Sequence, residues 1–184
     1  MDGKQRCKWC NLKNARYVEY HDHEWCIPNF DDQYLYEMLI LESFQAGLSW
    51  ECVLNKRDSF RAAYDGFDWN KVAAYDARKL SELASDPRLI RNKRKIAASV
   101  NNSRIFKAIV DEYGSFHAYL KTFTHDQILY ETDKTTNALS DAISSDLKKR
   151  GMTFVGSVII YSYLQAIGVI CSHDKGCFLY HRGE

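Results

Sequence analysis

The stretch LESFQAGLSW, residues 41–50, decides how this chain folds. It closes an apolar run, YLYEMLILESF, that begins at Tyr34. A spacing of about 3.6 residues places Leu35, Met38, Leu39 and Glu42 on one helical face. A carboxylate on an apolar face costs free energy unless it is paired or turned toward a ligand. Gly47 then breaks the helix, and Leu48 and Trp50 follow at the break. Singly, these residues read as a buried glutamate satisfied by backbone amides and a core tryptophan. Together, an acid, a glycine that permits close backbone approach and a large aromatic define a pocket.

Outward from this stretch the chain reads as all-α. Asp31 or Asp32 caps the first long helix, which runs to about Phe44. A second helix is expected from about Ser49 to Tyr64. Asp68 caps a short turn (WNKVAAY), and Asp76 caps ARKLSELAS. A long helix covers about Asn92 to Glu112 and stops at Gly114, after which Ser115 caps SFHAYLKTF. Residues 124–136 read as loop and about 137–149 as helix. Residues 153–169 read as a core helix: Ser157, Ser162, Gln165 and two glycines interrupt the run, so it is protein core rather than a membrane span. Residues 1–30 lack helical periodicity and are expected to wrap over a core made by later helices. Strand signals are weak throughout.

The 184 residues fit one domain, residues 1–184, with a helical core at 31–170 and a hairpin near 85–95. With only two prolines and nine glycines, a turn-rich β architecture or disorder is disfavoured. A net charge of +1 gives no global attraction to nucleic acid or acidic membranes, so any polyanion must be held by a local patch. The patch is DPRLIRNKRKI, residues 86–96, which concentrates Arg88, Arg91, Lys93, Arg94 and Lys95 at a turn before a helix. Amides and dipole at such a helix start suit a phosphate, although a solvated charged turn is the commoner meaning of such a cluster. Beside an aromatic pocket with an acid, the patch suggests a nucleotide held outside its duplex. No charged-then-apolar leader is visible, and six cysteines without one point to the reducing cytoplasm and to metal or free thiols. A monomer with no membrane association is expected.

Cys7 and Cys10 form CxxC, and His173 and Cys177 form HxxxC. Two chelating pairs at opposite ends of a chain would staple its termini around a tetrahedral zinc. Cys10, His21 and His23 compete for the fourth position. Four protein ligands leave no open coordination site, so one structural zinc is expected.

Taken together, RCKW (6–9), YHDHEW (20–25), LESFQAGLSW (41–50), VLNKRDSFR (53–61), FDWNKVA (67–73), LIRNKRKI (89–96), the run 147–170 and HDKGC (173–177) span nearly the whole chain. In that order they resemble the 3-methyladenine DNA glycosylase I family of the helix-hairpin-helix superfamily. The resemblance implies that fold, with zinc on Cys7, His21, His173 and Cys177 tying residues 1–30 to 171–184. It implies Glu42 as the catalytic carboxylate, with Tyr20, Trp50, Trp9, Trp25 and Leu48 around the base. It also implies that Gly47 and the basic turn (Arg88, Arg91, Lys93, Arg94, Lys95) contact DNA. The activity implied is hydrolysis of 3-methyladenine from alkylated double-stranded DNA, releasing the free base and leaving an abasic site without lyase chemistry. A non-catalytic, zinc-stapled helical DNA-binding module is the alternative. Departures from the family pattern are Arg88 and Arg94 at positions usually glycine, Phe44 at a usual glutamine, and Cys26 at a usual glycine.

Overall fold

The computed structural model describes residues 3–180. Its centre is α2 (Asp32–Gln45). Asp31 is the cap, accepting from the Tyr34 amide, while Asp32 accepts from the amides of Phe116 and His117. Asp32 therefore anchors the start of α8 (Phe116–Thr124) against α2. One apolar face was too little: every residue from Leu35 to Phe44 is buried. A helix apolar on all sides must be surrounded. Here α3 (Trp50–Leu54), α7 (Lys93–Tyr113), α8 and α10 (Ser157–Ala166) enclose it.

Asp68 caps α5 (Trp69–Ala73), Asp76 caps α6 (Ala77–Ser85) and Ser115 caps α8 as read, and Asn92, read as the start of the long helix, is the cap of α7. Gly114 closes α7 at φ 86°, and Asn137 starts α9 (Ala138–Lys149) with a capping box.

Four expectations are corrected. The helix expected from Ser49 to Tyr64 is two, α3 and α4 (Arg57–Ala63), with the break at Asn55 and Lys56. After the break, α4 turns the buried Arg57 between Glu24 (2.6 Å) and Glu37 (2.5 Å). The first thirty residues contain a helix, α1 (Ala15–His23), capped by Asn14. Its buried face is Tyr17, Tyr20 and His21, so tyrosine and histidine hid the period that aliphatic residues would have shown. The core helix starts at Ser157 rather than near 153, because Phe154 takes φ 57° and interrupts the helical path. Finally, β1 (Leu129–Tyr130) and β2 (Ile170–Cys171) pair in parallel inside segments read as loop and tail. Two-residue strands are too short to show alternation.

The N-terminal segment does wrap over the core. Backbone amides of Cys26 and Asn29 donate to Gln165 (2.9 Å) and Ile167 (3.2 Å) at the end of α10. The approach is so close that a Cβ on Gly168 (φ +76°) would sit 2.2 Å from the Pro28 nitrogen. Residues 181–184 of the expected C-terminal segment lie outside the described residues. Among the described residues no helix is long and apolar enough to cross a membrane.

Candidate active site and metal cluster

The C-terminal end of α2, α1, α3 and the wrapped termini meet at a cavity of about 270 Å³. Tyr20, Glu42, Trp50, Trp9 and Trp25 all line it, so five residues scattered between positions 9 and 50 converge as expected. Tyr20 and Trp50 are 5.4 Å apart, and Trp9 packs edge-on to Trp25 at 4.7 Å. Three buried polar atoms of the lining residues have no protein partner: Glu42 Oε2, Trp50 Nε1 and Ser172 Oγ. The contrast with Glu37 on the same helix is informative, since Glu37 is buried against Arg57 and Arg61. Burial, with no cation to offset it, pushes the Glu42 carboxyl well above the usual carboxylate range.

Leu48 is not among the lining residues; it stands 40% exposed just after Gly47, which takes φ +77°. The sequence missed Tyr17, Asp133, Lys134, Ser162, Gln165, Ser172 and Asp174, which complete the lining along with Gln45. The β1–β2 pairing brings the segment with Asp133 and Lys134 to the cavity lining, a connection no local pattern encodes.

Cys7, His21, His173 and Cys177 are buried together with their ligand atoms within 4.8 Å of one another. Of the open alternatives, Cys10 directs its thiol to the Tyr17 carbonyl and His23 is exposed. The sulfur–nitrogen edges measure 3.5 Å (Cys7–His173), 3.5 Å (Cys177–His21) and 3.6 Å (Cys177–His173). A zinc with bonds of about 2.3 Å to sulfur and about 2.0 Å to nitrogen has tetrahedral edges of about 3.5 Å. The donor set and spacing fit such an ion. His21 Nδ1 faces Asp22 (2.8 Å), which Arg6 grips with two nitrogens. Burial alone would raise the Asp22 pKa, but hydrogen bonds from Arg6 and His21 hold it below the ordinary value. This carboxylate orients the imidazole, as partners of metal-bound histidines do. The cluster also backs the cavity: His173 lies 4.8 Å from the Trp25 ring, and His21 5.3 Å from Trp9.

The basic turn between α6 and α7 leaves Arg88, Arg91, Lys93 and Arg94 exposed, with Arg88 bonded to Asp86. Neither Arg88 nor Arg94 has positive φ, so this turn does not require glycine there. Asn92 accepts from the amides of Arg94 and Lys95, so fewer helix-start amides are free than expected. Lys95 is also corrected. It is buried, and its ammonium donates to the carbonyls of Phe44 (2.8 Å) and Ala46 (2.5 Å). Burial lowers its pKa. It satisfies orphan carbonyls at the end of α2 and ties the basic turn to the segment bearing Glu42 and Gly47. Lys95→Met should cost about 1–2 kcal/mol in denaturant unfolding because two carbonyls lose their donor. The same variant should leave the salt dependence of DNA binding unchanged, whereas Arg94→Met should lower that slope by about 1.

A helical scaffold that buries an unpartnered acid among aromatic rings beside a basic turn is built to receive a flat ring out of a polyanion. The chain belongs to the methyladenine glycosylase family, whose sequence profile matches residues 9–180. It is 40% identical over 183 residues to DNA-3-methyladenine glycosylase 1 of Escherichia coli (strain K12), covering 96% of this chain and 97% of that one. It is 35% identical over 178 residues to DNA-3-methyladenine glycosylase of Haemophilus influenzae, covering 94% and 96%. A crystal structure of 3-methyladenine DNA glycosylase I superposes with a TM-score of 0.92 at 37% identity, over 96% of this chain and all (100%) of that one. The Staphylococcus aureus enzyme, solved to explain its recognition of 3-methyladenine, superposes at 0.90 with 30% identity, over 97% and 100%.

Proposed function

We propose that this protein is a monofunctional DNA-3-methyladenine glycosylase of base-excision repair. The observation that carries the reading is the presence of unpartnered buried Glu42 Oε2 and Trp50 Nε1 in an aromatic cavity. A buried polar atom without a partner costs about 1–3 kcal/mol, and a ligand with matching edges recovers that cost. A purine methylated at N3 is cationic in the nucleotide and carries an exocyclic amino donor. It stacks on Trp50 and Tyr20 and draws Glu42 into its carboxylate form. A neutral purine lacks the charge that offsets this ionisation.

The methylated base leaves neutral, so strong protonation of the leaving group is not needed. The bond from the sugar C1′ to the base nitrogen breaks, and its electron pair goes to the base. Water adds its oxygen to C1′ and loses a proton, which yields free 3-methyladenine and an abasic site. Positive charge on the sugar is offset by DNA phosphates and fixed dipoles of the site. No lysine is assigned a Schiff-base role.

Arg91, Lys93 and Arg94 fit phosphate contacts in a helix-hairpin-helix anchor formed by α6, the turn and α7. Gly47 brings backbone close to DNA, and exposed Leu48 suits the gap left by the extruded nucleotide. Cys7, His21, His173 and Cys177 would hold a structural zinc, which when bound supplies a rigid tie between the termini and no reaction step.

Incubation of the protein with methylated duplex DNA should release 3-methyladenine, identified by chromatography, and leave alkali-labile abasic sites. Tight binding of an abasic-site analogue with no base released would instead favour the non-catalytic DNA-binding module.

A further inference from the structure

Behind the cavity wall lies a second group of soft side chains. Cys26, Cys171 and His173 are buried, with one ligand atom of each within 4.8 Å of the others. Neither of these thiols belongs to the four-residue cluster. We propose that Cys26 and Cys171 are a dithiol that a hydroperoxide closes reversibly to a disulfide.

Three features support the pairing. First, the sulfurs are brought together by independent backbone ties rather than by chance side-chain reach. The Cys26 amide donates to Gln165 at 2.9 Å, Cys171 is fixed in the β1–β2 pair, and the Ser172 amide donates to Cys26 Sγ at 3.2 Å. From such a separation, side-chain rotation and a small backbone adjustment can reach bonding geometry. Second, Cys26 takes φ 65°, a conformation that side-chain-bearing residues rarely adopt. A side chain kept at a backbone conformation that favours glycine motivates a search for function there. Third, the flanking residues Trp25 and Ser172 both line the open cavity, so a small oxidant can come within one residue of each thiol.

The chemistry balances without an external catalyst. Each thiol gives up one hydrogen, a sulfur–sulfur bond forms and the peroxide O–O bond breaks. Two electrons pass from the sulfurs to oxygen, and hydrogen peroxide leaves as two waters. In a reducing compartment such bonds are transient and regulatory rather than structural.

The test uses full-length, metal-loaded protein treated with hydrogen peroxide, quenched by alkylation and mapped by mass spectrometry. The expected result is a mass lower by two hydrogens and a peptide cross-linked between Cys26 and Cys171. The cross-link should be removed by a thiol reductant, and bound metal should be unchanged. Cys171→Ser should abolish the cross-link; so should Cys26→Gly, which suits the positive φ and guards against misfolding. Three outcomes would overturn the proposal: a cross-link through Cys7 or Cys177 with metal release, sulfinic acid on one unpaired thiol, or no change under peroxide that fully oxidises glutathione.

Discussion

Glu42→Gln will slow release of 3-methyladenine from methylated DNA by about 10- to 100-fold, the worth of one hydrogen bond to a charged group. The same substitution will raise, not lower, thermal stability at pH 8. Its side chain is buried, Oε2 has no partner, and burial lifts its pKa well above the ordinary value. For such a group the folded state holds its proton to higher pH than the unfolded state. Stability is unaffected below the unfolded pKa, near 4.5, is lost as pH rises from there through the raised folded value, and levels off beyond it. Glutamine has no charge to desolvate, so the gain should appear in the alkaline arm and vanish at pH 4. Affinity for the cationic base should behave in the opposite sense in the wild type. It should strengthen as pH rises through the folded pKa, with a proton released on binding. Calorimetry in two buffers of different ionisation enthalpy would measure that proton. A variant as active as wild type, or one whose stability is lower across all pH, would remove Glu42 from the recognition step.

The second large effect is on the metal cluster. Cys177→Ser should lose one bound zinc and destabilise the fold by about 4 kcal/mol or more, as losses of structural metals do. For a chain of this size that is a drop in Tm of about 8–16 °C. Three sulfur–nitrogen edges near the tetrahedral value and four buried donors are the basis. Burial pushes the Cys7 thiol up, so without a cation the site strongly disfavours the thiolate that coordination needs. Base release should fall too, since Trp9 and Trp25 pack on the two imidazoles and form the cavity wall. Elemental analysis beside calorimetry checks this, and a full equivalent of metal in the variant would contradict the ligand assignment.

Much of the site could be read in the sequence because it is written in residue types that physics uses sparingly. A glutamate in an apolar run, a tryptophan at the first helix break, and a CxxC and an HxxxC at opposite ends of the chain are each unusual enough to mark chemistry. Lys95 shows the limit. In sequence it belongs with Arg94 and Lys93, yet the helical turn points it inward, where the unsatisfied carbonyls of α2 hold it. Helix α1 was hidden for a related reason: Tyr17, Tyr20 and His21 present polar names but buried rings.

By itself the sequence determined the helical class, most of the caps, the central helix and the placing of an acid, Glu42, and an aromatic, Trp50, at its end. These follow from local rules: period, capping chemistry and the cost of burying charge. The residue pattern left Cys10, His21 and His23 open, and the tertiary structure brings in His21, the one the family resemblance implied; tertiary structure alone decided that Leu48 stays exposed outside the lining and that Asp133 and Lys134 join it. It also decided that Glu42 is buried with Oε2 unpartnered, which lifts its pKa. Those outcomes depend on distances between segments far apart in the chain, and on how completely neighbours exclude water, which no window of neighbouring residues contains.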